Sequence, residues 1–376
     1  MEIDMVQLLL RSDMMDPFKP TMIGRRNARN KLVMAPMTTY SGNEDNTPSA
    51  EEIEYYKMRS RTVGAVITAA VAVNRQAHAF ERQISLESDA FIGPMSELAT
   101  AIKQEGALAI AQLHHGGRMN DPSVHESENE IVAPSAVKAP RTNKVTPRAM
   151  REDEIERTIH DFISAAVRAQ KAGFDGVELH GANTYLLQQF FSRHSNRRND
   201  RYGGSLENRL RFIDEIVRGT VDATKKETPE FIVGYRLSPE EIEDDGITLE
   251  DTDKLVDYLE SQDLDYVHLS LRNYAQTSMR HPATKEPVLA RLKRSQLLIA
   301  SGGLDNRSDM ERADTLGADL FALGTAILAD PKAGLNLEKK GHADKVFRRQ
   351  TMPENLYARL SKNASVFADN GFSFQD

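Results

Sequence analysis

Short apolar runs alternate with amphipathic stretches along almost the whole chain. Runs such as GAVITAA at residues 64–70 and QLLIA at residues 296–300 are nearly continuous in apolar side chains. Such runs are typical of parallel strands that are covered on both faces. The stretches between them repeat apolar residues at helical spacing, so the alternation predicts parallel strands joined by helical crossovers.

Eight strand–helix units follow one another without a linker or a short internal repeat. The predicted strands are residues 31–38, 65–70, 108–114, 176–180, 232–237, 266–270, 297–300 and 320–323. The predicted helices are residues 50–62, 92–104, 152–172, 206–223, 249–261, 287–294 and 307–316. Long loops are expected at residues 116–150 and before the helix that begins at Leu206.

This pattern predicts the α/β class and a single (β/α)8 TIM barrel with long βα loops. A TIM barrel typically uses about 250 residues and reaches more than about 400 with insertions, and the chain has 376 residues. We expect one domain over residues 1–376, with a barrel core at about residues 18–332 and a C-terminal helical extension at residues 333–376.

Composition narrows the class of protein. The chain is 40% apolar and 28% charged, with a formal net charge of -8 and no cysteine. The acidic balance and the lack of a basic stripe argue against nucleic-acid binding. Without cysteine there is no disulfide, iron–sulfur cluster, thiolate zinc site or cysteine nucleophile, which fits a reducing cytoplasm.

The first ten residues contain the short apolar run VQLLL at residues 6–10, preceded by Glu2 and Asp4. A signal peptide would have a positively charged start and a small-residue cleavage site, and neither is visible. No stretch approaches the roughly 18 apolar residues of a membrane span. We therefore expect a cytoplasmic protein that has no membrane partner.

Unusual polar residues and glycines fall at the C-terminal ends of the predicted strands, where TIM barrels place their active sites. They are Thr38, Gln112, His114, His180, Asn183, Arg236, Ser301, Gly302, Gly303, Gly324 and Thr325. Glycine turns after strands seven and eight are the usual phosphate site of a TIM barrel, because backbone N–H groups can approach an anion closely there.

Several other classes of site are not indicated by the sequence. No G-x-G-x-x-G follows a strand, which argues against a Rossmann dinucleotide domain. Neither H-E-x-x-H nor G-x-S-x-G occurs, so a zinc protease and an α/β-hydrolase are not indicated. No metal site is predicted.

The chain resembles the Old Yellow Enzyme family of FMN-containing NAD(P)H oxidoreductases, from about residue 18 to about residue 332. The segments that carry the resemblance are MAPMTTYSG (34–42), QLHHGGR (112–118), AGFDGVELHGAN (172–183), RNDRYGGSLENRLRF (198–212), GYRLSP (234–239), IASGGL (299–304) and LGTAILADP (323–331). The fourth segment is long and highly specific, and the order and spacing of all seven match the family.

The resemblance implies FMN bound non-covalently at the barrel mouth, with NADH or NADPH as reductant. The FMN phosphate would lie at the turns after strands seven and eight. The residues implied to bind FMN are Pro36, Met37, Thr38, Ala70, Gln112, Arg236, Ser301, Gly302, Gly303, Gly324 and Thr325. Gln112 and Arg236 would meet the pyrimidine edge of the flavin.

The resemblance also implies an ene-reductase reaction. Hydride passes from NAD(P)H through flavin N5 to the β-carbon of an α,β-unsaturated carbonyl compound, or to a quinone or nitro oxidant. His180 and Asn183 resemble the pair that binds the carbonyl oxygen, and Tyr185 the donor of a proton to the α-carbon. Tyr40 resembles a substrate-pocket tyrosine of one bacterial branch of the family.

The chain departs from the family pattern at the turn after strand eight. The family usually has an arginine there as a phosphate ligand, and this chain has Thr325. A hydroxyl cannot make a bidentate charged contact, which puts FMN affinity in question. Arg307 or Arg312 could supply the charge. Thr184 stands where glycine is common, so a different turn before Tyr185 is expected.

Three alternatives are weighed. A flavin barrel that oxidises a hydroxy acid or a dihydropyrimidine would need a different base than the HGANTY set at residues 180–185. An FMN-deficient barrel that acts as a ligand-binding protein gains weight from Thr325. A complete two-domain dienoyl-CoA reductase would need cluster cysteines. The natural electron acceptor, the choice between NADH and NADPH, and whether a homo-oligomer forms stay open.

Overall fold

The eight predicted strands close into one parallel barrel in the computed structural model, which describes residues 16–140 and 145–376. The strands are β1 Leu32–Met34, β2 Ala65–Ala72, β3 Leu108–His114, β4 Gly176–Gly181, β5 Ile232–Leu237, β6 Tyr266–Leu269, β7 Leu297–Ser301 and β8 Leu320–Leu323. Each pairs in parallel with its successor, and β8 pairs with β1 through Leu323 and Met34. The predicted TIM barrel is confirmed.

Seven helices connect successive strands, as expected. They are α1 Ala50–Ser60, α2 Ile92–Gln104, α3 Glu152–Lys171, α4 Leu206–Lys225, α5 Leu249–Glu260, α6 Val288–Leu292 and α7 Arg307–Thr315. Four of these helices are preceded by a residue whose side chain accepts the backbone N–H of the residue three positions later. These capping residues are Ser49, Ser205, Thr248 and Asn306. Such residues satisfy donors that the first turn of a helix leaves free.

The first strand is shorter than the predicted residues 31–38. Strand β1 ends at Met34, and Ala35 adds one more hydrogen bond, from its N–H to the carbonyl of Leu323 at 3.0 Å. Pro36 follows and has no N–H, so it cannot continue the ladder. Residues 36–38 therefore leave the barrel wall and lie at its mouth.

Strand β2 contains a bulge just before Ala70, which pairs with Gln112 at the mouth of the barrel. The register with β3 shifts between Ile67 and Ala70, after which Ala70 pairs with Gln112. The Ala69 N–H at the bulge donates to the buried Tyr56 hydroxyl at 2.6 Å. The backbone N–H of Ala69 thus has a hydrogen-bond acceptor where the bulge interrupts the pairing of β2 with β3.

The barrel interior is closed at the end opposite the mouth by an antiparallel hairpin, Thr21–Ile23 with Arg26–Ala28. Ile23 and Ala28 pack with the apolar residues at the beginnings of the strands, among them Ala65, Ile232 and Leu320. A larger apolar cluster lies between the strands and the surrounding helices. The open end of the barrel is therefore the C-terminal one.

The two long loops carry short elements of their own. The first, after β3, contains the two-stranded pair Val132–Ala133 with Arg148–Ala149. The second, after β4, contains the helix Leu186–Phe191. Both loops lie on the mouth side of the barrel, because they follow the C-terminal ends of their strands.

The chain beyond β8 forms mixed structure and not only the predicted helices. Helix α8 is Thr325–Ala329, and further helices span Ala333–Lys340, Glu354–Ser361 and Ala364–Ala368. Strands Val346–Arg348 and Ser373–Gln375 pair in parallel. Phe347 on the first strand stacks on Phe374 on the second, with ring centroids 4.7 Å apart. The single-domain organisation stays a prediction.

Two features are absent from the described residues. No helix there combines the length and apolar character needed to cross a bilayer. No cluster of His, Asp or Glu side chains suited to a metal ion occurs there either. The apolar run at residues 6–10 lies outside the described residues.

Arg59 joins the barrel to the chain beyond it. The side chain is fully buried, and its guanidinium donates to the carbonyls of Tyr55, Ile327, Leu328 and Thr351 at 2.9–3.2 Å. These carbonyls belong to α1, to α8 and to the C-terminal extension. The planar group with its five N–H donors serves acceptors from three segments at once.

Replacement of Arg59 by methionine should lower the free energy of unfolding by about 3–5 kcal/mol, because buried carbonyls would lose their donor. Urea denaturation measures this loss. Arg61→Met is a matched control, since Arg61 is exposed and pairs with Glu105 at the surface. An equal loss in both variants would refute the structural role of Arg59.

Candidate active site

Two adjoining cavities lie at the C-terminal ends of the strands. The larger has a volume of about 470 Å³ and the smaller about 60 Å³. Pro36, Met37 and Arg236 line both. The larger volume is within the roughly 300–1,000 Å³ of typical ligand pockets.

The larger cavity gathers most of the residues expected to bind FMN. The predicted residues that line it are Pro36, Met37, Arg236, Ser301, Gly302, Gly303, Gly324 and Thr325. The sequence did not indicate Arg272 or four residues of the C-terminal extension, Val366, Phe367, Asn370 and Phe372. They belong to no recognised motif, so no signal in the sequence could have found them.

The turn after β7 requires glycine. Gly302 and Gly303 have φ angles of 98° and 71°, in the left-handed region that glycine favours. A Cβ on Gly302 would also lie 2.6 Å from the carbonyl oxygen of Leu271. At the turn after β8, a Cβ on Gly324 would meet no atom within 4 Å, so open space faces this residue.

The hydroxyl of Ser301 makes two hydrogen bonds within the protein. The Oγ donates to the carbonyl of Leu269 at 2.7 Å and accepts the N–H of Leu271 at 3.3 Å. The side chain therefore connects β7 to the loop after β6. Its predicted contact with FMN stays a prediction.

The smaller cavity gathers the remaining expected residues except Tyr40. The predicted residues that line it are Pro36, Met37, Thr38, Ala70, Gln112, His180, Asn183, Tyr185 and Arg236. Phe80 also lines it, and no motif in the sequence indicates this residue. It lies in a loop without periodic pattern, which explains why it was missed.

A buried carboxylate fixes the orientation of Gln112. The Gln112 Nε2 donates to Glu178 Oε1 at 2.7 Å, and His268 Nδ1 lies 2.9 Å from Glu178 Oε2. Burial raises the pKa of Glu178, but His268 and Arg236 outweigh it and hold that pKa below its usual value. A carboxylate only accepts hydrogen bonds, so the Gln112 Oε1 acceptor is free to face the cavity.

Arg236 brings a buried positive charge to the wall that both cavities share. Its Nε has no hydrogen-bond partner within the described part of the chain. Burial lowers the pKa of Arg236, and nearby Glu178 opposes that shift. A buried donor without a partner is costly, so this group is suited to a ligand acceptor.

These groups match the hydrogen-bonding pattern of a flavin. The pyrimidine edge of FMN presents an N–H donor flanked by carbonyl acceptors. Gln112 offers the acceptor and Arg236 the donor. The glycine turns after β7 and β8 line the same larger cavity as Arg236. The residues present therefore fit FMN.

His180 is neutral and presents one donor. Its Nδ1 accepts the N–H of Ala182 at 3.4 Å, which leaves the proton on Nε2. Burial first, and then the charge of Arg236, lower the pKa of His180 well below its usual value. The side chain lines the smaller cavity as a hydrogen-bond donor.

Asn183 presents its amide N–H group to the same cavity. Its Oδ1 accepts the hydroxyl of Ser270 at 2.9 Å, and its backbone N–H donates to Ser238 Oγ at 2.9 Å. Asn183 and Thr184 have φ angles of 56° and 65°. Left-handed backbone costs a β-branched residue such as Thr184 roughly 1–2 kcal/mol, so the turn before Tyr185 carries strain that glycine would avoid.

The Tyr185 ring is held on two sides by imidazoles. Its centroid lies 4.3 Å from that of His114 and 4.9 Å from that of His180, both edge to face. Burial and the neighbouring Tyr40 raise the pKa of Tyr185 above its usual value, against the charge of Arg236. The phenol therefore stays protonated at neutral pH.

His114, at the end of β3, and His115, in the loop after it, make different hydrogen bonds. Gln83 accepts the N–H of Ala79 through Oε1 at 2.8 Å, so its Nε2 donates to His114 Nδ1 at 3.1 Å. His114 is therefore neutral and supports the Tyr185 ring from behind the cavity wall. His115 Nδ1 accepts the N–H of Gly117 at 3.1 Å and thereby holds the turn.

Tyr40, expected in the substrate pocket, lines neither cavity. Its ring packs edge to face on Phe80 with centroids 5.7 Å apart. The guanidinium of Arg359, from the C-terminal extension, lies 3.9 Å above the ring. Tyr40 thus lies outside the smaller cavity, next to Phe80 and Tyr185 of its lining.

A sequence profile of the NADH:flavin oxidoreductase / NADH oxidase family matches residues 16–343. The NADH:acrylate oxidoreductase of Vibrio harveyi is 41% identical over 310 residues, which cover 80% of this chain and 31% of that protein. This chain therefore spans about a third of that relative's length.

A second relative is similar along most of its length. The Bacillus subtilis (strain 168) protein named "Probable NADH-dependent flavin oxidoreductase YqiG" is 41% identical over 80% of this chain and 82% of its own. Among solved structures, morphinone reductase superposes with a TM-score of 0.77 at 28% identity, over 88% of this chain and 91% of its own.

These matches confirm the expected enzyme class, a flavin oxidoreductase with FMN as cofactor and NADH or NADPH as reductant. The matched region includes every strand of the barrel and every predicted site residue. The chain belongs to the NADH:flavin oxidoreductase / NADH oxidase family, the Old Yellow Enzyme family.

Proposed function

We propose that this chain is an ene-reductase that uses FMN and NAD(P)H to reduce the C=C bond of an α,β-unsaturated carbonyl compound. The observation that carries the proposal is the lining of the smaller cavity. His180 and Asn183 offer N–H donors there beside the Tyr185 phenol, and the cavity shares a wall with the larger one. Quinones and nitro compounds are further acceptors for the same electrons.

The residues that would hold FMN are divided between the cavities. Gln112 and Arg236 would meet the pyrimidine edge, with Pro36, Met37, Thr38 and Ala70 against the ring system. Residues Ser301, Gly302, Gly303, Gly324 and Thr325 would surround the phosphate. When bound, FMN supplies a carrier that takes a hydride from NAD(P)H and gives it to the acceptor.

His180 and Asn183 polarise the acceptor. Both donate to the carbonyl oxygen and stabilise the negative charge that develops there as the β-carbon receives hydride. His180 acts as a neutral donor because its Nδ1 is occupied by the N–H of Ala182. Asn183 is kept in place by Ser270 and Ser238.

Tyr185 completes the reduction by giving a proton to the α-carbon. The acceptor then has gained one hydride and one proton, and the phenolate recovers a proton from water. The raised pKa of Tyr185 keeps the phenol protonated between turnovers. His114 and His180 hold the ring edge to face, which limits its motion while it transfers the proton.

The comparisons support the substrate class. The name of the Vibrio harveyi relative gives acrylate as its substrate, and acrylate carries a C=C bond conjugated with a carboxylate. A carboxylate oxygen is an acceptor for the same two donors. We extend only the general class to this chain, since it spans about a third of that protein.

The absorption spectrum of the purified protein tests the proposal. We expect a flavin spectrum that bleaches when NADH or NADPH is added without oxygen and returns when cyclohexenone is added. A colourless protein that takes up no added FMN would contradict it, and the ligand-binding alternative would then be preferred. Bleached protein that reoxidises with ferricyanide but not with the alkene would contradict the ene-reductase assignment alone.

Replacement of Tyr185 by phenylalanine should slow reoxidation by cyclohexenone about 10²- to 10⁴-fold, the usual contribution of a general acid. Anaerobic stopped-flow absorbance measures this rate. Reduction by NAD(P)H and reoxidation by ferricyanide need no proton donor and should be unchanged. The Tyr258→Phe variant, altered on α5 where the hydroxyl donates to Asp214, is a matched control. Equal slowing with ferricyanide would exclude the proton-donor role.

The rate of alkene reduction should be independent of pH between about pH 7 and about pH 9. The pKa of His180 is lowered, so it stays neutral throughout that range. The pKa of Tyr185 is raised, so the phenol stays protonated there. A reoxidation rate that falls as the pH rises within this range would contradict the assignment of both groups.

A further inference from the structure

The loop after β6 is fastened to the glycine turn after β7. The N–H of Tyr274 donates to the carbonyl of Gly302 at 2.9 Å, and the N–H of Leu271 donates to Ser301 Oγ at 3.3 Å. A Cβ on Gly302 would lie 2.8 Å from the carbonyl carbon of Arg272. The backbone of Arg272 therefore lies directly against this turn.

The backbone of Arg272 makes a further hydrogen bond to the protein, whereas its guanidinium makes none to the described residues. Its N–H donates to Gln276 Oε1 at 3.2 Å. Arg272 is an exposed residue that lines the larger cavity, and no hydrogen bond or ion pair joins its guanidinium to another described residue. A cation on a fixed backbone thus stands at the cavity wall without a protein partner.

Each of the other charged residues that line this cavity has an opposite charge beside it. Asp305 is paired with Lys345, whose Nζ lies 2.6 Å from the carboxylate. Arg236 is buried beside Glu178 at the end of β5. Among the described residues that line the cavity, Arg272 is therefore the charged residue that has no opposite charge beside it.

The two arginines considered from the sequence do not reach this cavity. Arg307 pairs with Glu311 at 3.1 Å and lies 3.9 Å from Asp16. Neither Arg307 nor Arg312 lines the cavity. Thr325 lines it with a neutral hydroxyl, so the anion end of the cavity lacks a charge from β8.

We propose that Arg272 pairs with the phosphate of bound FMN and supplies the positive charge that Thr325 does not. The proposal rests on FMN as the cofactor in the proposed function and deepens it. A guanidinium binds a phosphate through two parallel N–H donors. Because the backbone is fixed at Leu271, Arg272 and Tyr274, only the side chain has to be ordered on binding.

The test compares FMN with riboflavin, which has the same ring system and no phosphate. Protein freed of flavin is titrated with each, and quenching of flavin fluorescence gives the dissociation constants. Arg272→Ala should raise the dissociation constant of FMN about 10- to 100-fold. The dissociation constant of riboflavin should not change, and the affinity for FMN should depend less on salt than in the wild type.

Three further variants make the result specific. Arg307→Ala removes a nearby cation that is already paired and should leave both constants unchanged. Arg272→Lys keeps the charge without the bidentate geometry and should weaken FMN binding less than alanine does. Thr325→Arg, added to Arg272→Ala, should restore FMN affinity because it returns the charge from the β8 turn.

Each other outcome overturns the proposal. Equal weakening of FMN and riboflavin in Arg272→Ala would mean that the residue only supports the loop. Unchanged FMN binding in that variant would mean that another group meets the phosphate. These two results leave the proposed function intact, whereas wild-type protein that binds neither flavin would overturn both proposals.

Discussion

The candidate site depends on one fully buried carboxylate, that of Glu178. A buried charge is tolerated only when it is paired and hydrogen-bonded. Here His268 and Gln112 hold it on both oxygens, and Arg236 balances its charge. One residue thereby determines which way the Gln112 amide faces and keeps a cation in the wall shared by the two cavities.

The sequence predicted the barrel well because parallel strands that are buried on both faces leave continuous apolar runs. Residues such as Gln112, His180 and Arg236 could be assigned to one place because the C-terminal ends of such strands meet. The early end of β1 came from Pro36, and the β2 bulge depends on the tertiary contact with Tyr56. Neither effect has a periodic signal.

Other features of the site could not be predicted, because they come from irregular segments. Phe80 and Arg272 lie in loops, where the Phe80 ring packs on Tyr40 and Tyr185 and the Arg272 backbone packs on the Gly302 turn. The residues after position 332 were expected to be a helical extension outside the core. In the structure Phe367 and Phe372 line the larger cavity, and Arg359 covers Tyr40. The extension is part of the site.

Arg59 links the packing of the C-terminal extension to the β8 turn at the larger cavity. It binds the carbonyl of Thr351 in the extension and the carbonyls of Ile327 and Leu328 next to the β8 turn. A ligand in the larger cavity would contact a wall that includes this extension, and would therefore stabilise the form of the chain in which the extension is packed on the barrel. Cofactor affinity and resistance of the C-terminal segment to proteases are therefore two measures of the same equilibrium.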